Sequence, residues 1–124
     1  MIERRSLERL LKPKSIAVVG GGAWCQDAVE GLRRLGYAWD VWPIHPKRDS
    51  IAGVKCLPRL RDLPYAPDAV FVGVNRATTI DVVRELSEMG AGGVVCFASG
   101  FAETKGGAAF QEALLAAAGD MPLI

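Results

Sequence analysis

The chain has 124 residues, of which half are hydrophobic and 23% charged; that suffices for one buried core and is too apolar for a disordered chain. Fifteen Lys and Arg against 14 Asp and Glu leave a formal net charge of +1. This speaks against a general nucleic-acid binder, which carries a basic excess, but leaves room for a local basic site.

The first predicted element is a short amphipathic helix over Ser6–Leu11, with Leu7, Leu10 and Leu11 on one face and Pro13 stopping it. Ser15–Val19 (S-I-A-V-V) reads as a buried strand. Gly20-Gly21-Gly22 follows, then a helix over Asp27–Leu35 with Ala28, Val29, Leu32 and Leu35 inward and Gly36 ending it. Trp39–Ile44 is a second strand, stopped by Pro46, so Ser15–Ile44 reads as a βαβ unit. Ile51–Leu57 is expected to hold a short strand, with Leu60 and Leu63 capping the sheet edge among Pro58, Pro64 and Pro67. Asp68–Val74 is a strand, and a helix capped by Thr78 or Thr79 runs to Met89 and ends at Gly90. Gly93–Ala98 is a further strand. Gly107–Ala118 is an alanine-rich helix with Phe110, Leu114 and Leu115 inward, and Met121–Ile124 starts one more strand.

Five or six strands alternate with helices, and the strands are continuous apolar runs, as in a parallel sheet covered on both faces. The expected fold is a three-layer, Rossmann-like α/β domain with a mostly parallel sheet, spanning residues 1–124. The chain stops inside an apolar run without a polar cap, so the reading is an N-terminal piece of a longer protein. No apolar run approaches the roughly 18–20 residues that span a bilayer, and Met1–Lys14 has five Lys and Arg and no apolar leader core. Cys25, Cys56 and Cys96 are odd in number and far apart, forming neither a disulfide framework nor a CxxC metal site. The expected compartment is the cytoplasm, with no membrane, nucleic-acid or metal partner.

In an open parallel sheet, ligands bind beyond the carboxyl ends of the strands. After the first strand come Gly20, Gly21, Gly22 and Ala23, whose backbone N–H groups can approach a phosphate while the next helix adds partial positive charge. The nicotinamide fingerprint G-x-G-x-x-G fails at its third glycine, which is Cys25. After the second strand comes His45-Pro46-Lys47-Arg48. Where an NAD enzyme places an acidic residue, Lys47 is a cation suited to a phosphorylated ribose: that of NADP, or the 3′-phospho-ADP part of coenzyme A. Val74 and Asn75 end the Asp68 strand, and Ala98, Ser99 and Gly100 make a second strand-to-helix turn with amides and a hydroxyl. Glu103 fits a helix-capping role at least as well as a ligand role. His45, the sole histidine, reads as a surface residue, and no Ser or Cys has an evident base partner, so no catalytic residue is assigned.

Five strings occur in order: K-P-K-S-I-A-V-V-G (Lys12–Gly20), P-x-H-P-K (Pro43–Lys47), I-A-G-V-K-C (Ile51–Cys56), L-P-Y-A-P-D (Leu63–Asp68) and A-S-G-F-A-E (Ala98–Glu103). From about Leu7 to Ile124 the chain resembles the CoA-binding domain of NDP-forming acyl-CoA synthetases, the family of ADP-forming acetyl-CoA synthetase and the succinyl-CoA synthetase α subunit. The resemblance implies coenzyme A at the strand ends. Gly20 to Ala23 would receive phosphate groups, Lys47 would contact a CoA phosphate, Val74 and Asn75 would border CoA, and Ala98, Ser99 and Gly100 would lie against the pantetheine. The family's Gly-Ala-Ser is here Gly20-Gly21-Gly22, its Asn-Pro-Lys is His45-Pro46-Lys47, and its Val-Pro is Val74-Asn75. The phosphohistidine of the family lies in a following domain and His45 does not match it, so this chain alone is expected to be inactive. Further domains of the same chain, or a partner subunit, would complete the enzyme. Two alternatives stand beside this reading: an NADP-dependent oxidoreductase domain, and a stand-alone CoA-binding regulatory module.

Overall fold

The computed structural model describes residues 6–96 and 106–124. In chain order the elements are α1 (Glu8–Leu11), β1 (Ser15–Val19), α2 (Ala23–Arg34), β2 (Asp40–Ile44), β3 (Ser50–Ile51), β4 (Val54–Lys55), a 3-10 turn (Leu60–Asp62), β5 (Ala69–Val72), α3 (Arg76–Met89), β6 (Val94–Cys96) and α4 (Gly107–Ala118). Four strands form a parallel sheet in the order β2-β1-β5-β6.

Each outer edge is extended by one parallel bridge. Leu57 joins Ile44 beside β2, and Leu123 joins Val94 beside β6. The expected last strand is therefore present only as that bridge, held by Ile124 N–H donating to the Val94 carbonyl and Cys96 N–H donating to Ile124. The expected strand within Ile51–Leu57 is instead the small antiparallel hairpin β3–β4. Its two-residue turn, Ala52 and Gly53, has φ of 50° and 81°, the positive pair that matches strand twist.

Alternation along the strands separates two core layers. Ile16 and Val18 of β1 pack with Leu10, Cys25, Val29, Ile51 and Cys56, which are α1, α2 and the hairpin on one face. Ala17, Val19, Val70, Val72 and Val94 pack with Leu60, Leu63, Val83, Leu86, Phe110 and Leu114, the α3–α4 face. The three-layer α/β expectation is met. Leu60 and Leu63 belong to that second core layer rather than to a sheet edge.

Element ends differ from expectation where backbone geometry overrides side-chain pattern. α2 starts at Ala23, four residues early, because extended Gly22 serves as its N-cap. α3 is capped by Asn75, whose Oδ1 accepts the Thr78 N–H at 2.9 Å, so Thr79 is free to lie buried and donate to the Asn75 carbonyl. In α1 only Leu10 is buried, while Leu7 and Leu11 are exposed; in α4 Leu115 is exposed rather than inward. Leu35 is likewise exposed.

Candidate functional site

β1 sits between β2 and β5, so the chain leaves β1 toward one side and reaches β5 on the other. The crevice between the carboxyl ends of β1 and β5 is the switch point of such a sheet. Val19 is level with Ile44 and with Val72, so Gly20, His45 and Gly73 leave their strands side by side. Gly20 N–H donates to the Ile44 carbonyl, and Gly73 N–H donates to Val19.

The three glycines of the first turn differ in surroundings. Gly20 is buried, with φ +131°, and a Cβ there would lie 2.6 Å from the Gly73 carbonyl oxygen. Gly21 faces His45, whose Cδ2 and Nε2 would be 2.5 and 2.7 Å from an added Cβ. Gly22 is open and exposed, and supplies no side-chain cap to α2. The first turn of α2 is therefore left for something other than its own N-cap side chain to satisfy. Beneath the turn, Cys25 is buried and its thiol reaches the Val19 carbonyl. Burial pushes that thiol up, against a lowering contact from the Gly22 backbone, so Cys25 is an inert packing group.

The second turn, His45-Pro46-Lys47-Arg48, folds back on its own histidine. His45 Nδ1 accepts the backbone N–H groups of Lys47 and Arg48, both at 3.0 Å. Arg48 Nη1 then donates to the Gly21 carbonyl at 3.0 Å, tying the basic turn to the glycine turn. Lys47 is exposed and makes no ion pair among the described residues.

Three adjoining clefts open here. A basic cleft of about 560 Å³ is lined by His45, Pro46, Lys47, Arg48, Lys55 and Pro58, among others. A more apolar cleft of about 440 Å³ lies over Val19, Gly20, Gly21, Ile44, Leu60, Val74 and Val82, with Arg59, Arg61, Asn75 and Glu85 at its polar margin. The two share His45, Pro46 and Pro58. A third of about 370 Å³, between Gly22, Ala23, Trp24 and Gly73, meets the second at Val74. Of the site residues expected from the sequence, Gly20, Gly21, Val74 and Asn75 thus share one cleft, Lys47 lines the next, and Gly22 and Ala23 line the third. Asn75 has its carboxamide oxygen committed to the α3 cap. Ala98, Ser99, Gly100 and Glu103 lie outside the described residues.

Sequence reasoning passed over Pro58, Arg59 and Arg61. They reach the site because Leu57 pairs with Ile44, exchanging hydrogen bonds with Pro43 and His45, a contact with no local signature. It also read His45 as a surface residue, whereas the ring is half-buried at the junction of two clefts. Among the described residues no cluster of His, Cys, Asp and Glu has the makings of a metal site, and no helix is long and apolar enough to cross a membrane.

Fold and site together define a Rossmann-like α/β domain with a glycine turn at the switch point and a basic turn beside it at the end of β2. Residues 14–122 match the family model described as a CoA binding domain, and the chain belongs to that family. It is 36% identical over 111 residues, 83% of its length, to a trans-feruloyl-CoA synthase from an unknown prokaryotic organism. It is 32% identical over 101 residues to an ADP-forming acetate–CoA ligase of Archaeoglobus fulgidus, covering 78% of this chain. The chain spans only 16% and 15% of those two relatives. Among solved structures, the apo form of a dinucleotide-forming acetyl-coenzyme A synthetase from Ca. Korarchaeum cryptofilum superposes with a TM-score of 0.87 at 30% identity, over 96% of this chain and 27% of that one.

Proposed function

We propose that this domain holds coenzyme A for an NDP-forming acyl-CoA synthetase, which runs acyl-CoA + NDP + phosphate ⇌ carboxylic acid + CoA + NTP. The observation that carries it is a pairing beside the switch point: a glycine turn whose N-cap has no side chain, tied by Arg48 to the turn after β2 that bears Lys47, next to an apolar cleft. Coenzyme A has that character, with clustered phosphates at one end and a long, weakly polar arm at the other. In this reading Gly21, Gly22 and Ala23 offer amides to phosphate oxygens, Gly20 lets the turn run close beneath them with its own N–H held by the Ile44 carbonyl, and Lys47 meets the phosphate on the ribose. Val74 and Asn75 border the arm, and the family resemblance assigns Ala98, Ser99 and Gly100 to the same part of the ligand. The domain contributes binding and orientation of the thiol toward an acyl phosphate made elsewhere. Further domains of the same protein, or a partner subunit, supply the bond chemistry.

Calorimetric titration with CoA, dephospho-CoA, NADP and NAD tests this. The expected result is saturable CoA binding, weaker for dephospho-CoA. Lys47→Ala should lower CoA affinity by about tenfold, the loss of one charge-assisted contact, and leave dephospho-CoA nearly unchanged. NADP binding with no response to CoA overturns the reading in favour of an oxidoreductase domain.

A further inference from the structure

His45 does two things that its surface-like sequence context does not announce. Its Nδ1 accepts the N–H groups two and three residues ahead, at Lys47 and Arg48. That is the pattern in which an Asn or Asp oxygen fastens a turn, here made by a ring nitrogen. A ring nitrogen that accepts hydrogen bonds carries no proton, so the neutral imidazole carries its proton on Nε2. The Nε2 edge lies on Gly21, so close that a Cβ at that position would be 2.7 Å from Nε2 and 2.5 Å from Cδ2. The same turn returns through Arg48 to the Gly21 carbonyl. One side chain therefore fixes the backbone that carries Lys47 and also rests on the backbone of the glycine turn.

We propose that His45 is the positioning residue of this site: it sets Lys47 at a fixed place relative to the glycine turn, and Gly21 lacks a side chain because the imidazole fills that space. The inference rests on the coenzyme A reading for its ligand, but not for its geometry. His45 acts through Lys47 rather than by holding the ribose phosphate itself.

Four variants and two readouts test it. Without ligand, backbone amide exchange at Lys47 and Arg48 should speed up by about tenfold or more in His45→Ala, since each amide loses its acceptor. It should stay slow in His45→Asn, whose carboxamide oxygen takes the place of Nδ1 in the turn. With ligand, His45→Ala should weaken CoA by about tenfold and dephospho-CoA by no more than about twofold, matching Lys47→Ala, with His45→Asn recovering most of the loss. Gly21→Ala should weaken CoA by about tenfold through collision with the ring. The Gly21→Ala/His45→Asn pair should bind better than Gly21→Ala alone, because the shorter amide leaves room for the methyl.

Equal losses of CoA and dephospho-CoA in His45→Ala would mean a merely structural role and overturn the proposal. So would unchanged exchange at Lys47 and Arg48, or a double variant no better than Gly21→Ala. A wild-type protein that ignores CoA would overturn the ligand reading instead, while the exchange experiment still decides the role of His45.

Discussion

A methyl group on Gly20 would lie 2.6 Å from the Gly73 carbonyl oxygen and 2.8 Å from the Cys25 sulfur, on a backbone with φ +131°. Neither neighbour is a flexible side-chain end in open space: one is backbone at the end of β5, the other a buried thiol at the foot of α2. Strain and overpacking therefore add at one position, and Gly20→Ala is expected to cost roughly 3 kcal/mol. Gly22, by contrast, has open space where its Cβ would be and an ordinary negative φ, so Gly22→Ala should cost under about 1 kcal/mol, mostly as a poorer N-cap. Urea unfolding of both variants checks the contrast; equal losses would refute it. The first glycine serves the approach of two strand ends, the second makes room for His45, and of the three only Gly22 has open space where a Cβ would stand.

Among the elements, α1 is too short to hold itself in place; besides the buried Leu10, a polar clasp at the amino ends of the strands, opposite the site, ties it down. Arg9 Nε meets Asp68 Oδ1 at 2.7 Å, and its Nη1 donates to the Gly90 carbonyl at 2.8 Å. Asp68 Oδ2 accepts the Lys14 N–H, and its own N–H donates to Ser15 Oγ. Burial pushes the Asp68 carboxyl up, but the hydrogen bonds from Arg9 and Lys14 and the two positive charges outweigh it and hold it below the ordinary aspartate value. A carboxyl that titrates lower when folded adds stability above its unfolded range and loses it as pH falls through the folded value. Asp68→Asn should then cost about 1–2 kcal/mol near pH 7, and the gap to wild type should narrow as pH falls below the ordinary aspartate range. Denaturant midpoints at pH 7, 4 and 3 test this, and a gap that is constant across them would contradict it. Elements whose ends are set by their own residues were legible: β1 and α4 have the bounds that their sequence runs suggest. Asp68 was read only as the start of its strand, since Arg9 stands 59 residues away in the chain and nothing local connects them. The early start of α2, at Ala23 rather than Asp27, has no such local signal: three glycines precede it, and the N-cap is the extended Gly22 backbone rather than a capping side chain.

At the scale of the molecule, a net charge of +1 conceals an uneven distribution. Lys47, Arg48 and Lys55 line one cleft with Asp49, while Arg59 and Arg61 flank the next with Glu85. Arg59 is already paired with Asp62, and Arg48 with the Gly21 carbonyl; Lys47 is exposed and outside any ion pair among the described residues. The turns that follow the strands were legible, because apolar strand runs show where each strand ends; the switch point between β1 and β5 was not, because it depends on a strand order that the sequence does not state. The arginine side of the crevice was not, because it depends on the Leu57–Ile44 bridge across an irregular stretch. With the whole chain near neutrality, long-range attraction contributes little, and any salt effect on an anionic ligand must come from charges within about a Debye length, roughly 10 Å at 0.1 M salt. CoA affinity is therefore expected to fall about three- to tenfold between 0.05 and 0.5 M NaCl, as surface charge contacts are screened. Dephospho-CoA should fall less, and in Lys47→Ala the two ligands should respond to salt alike. Titrations at the two salt concentrations read this directly. An equal salt response for both ligands in the wild-type protein would show that the ribose phosphate is held by uncharged donors, and would move the anchor from Lys47 to the backbone of the glycine turn.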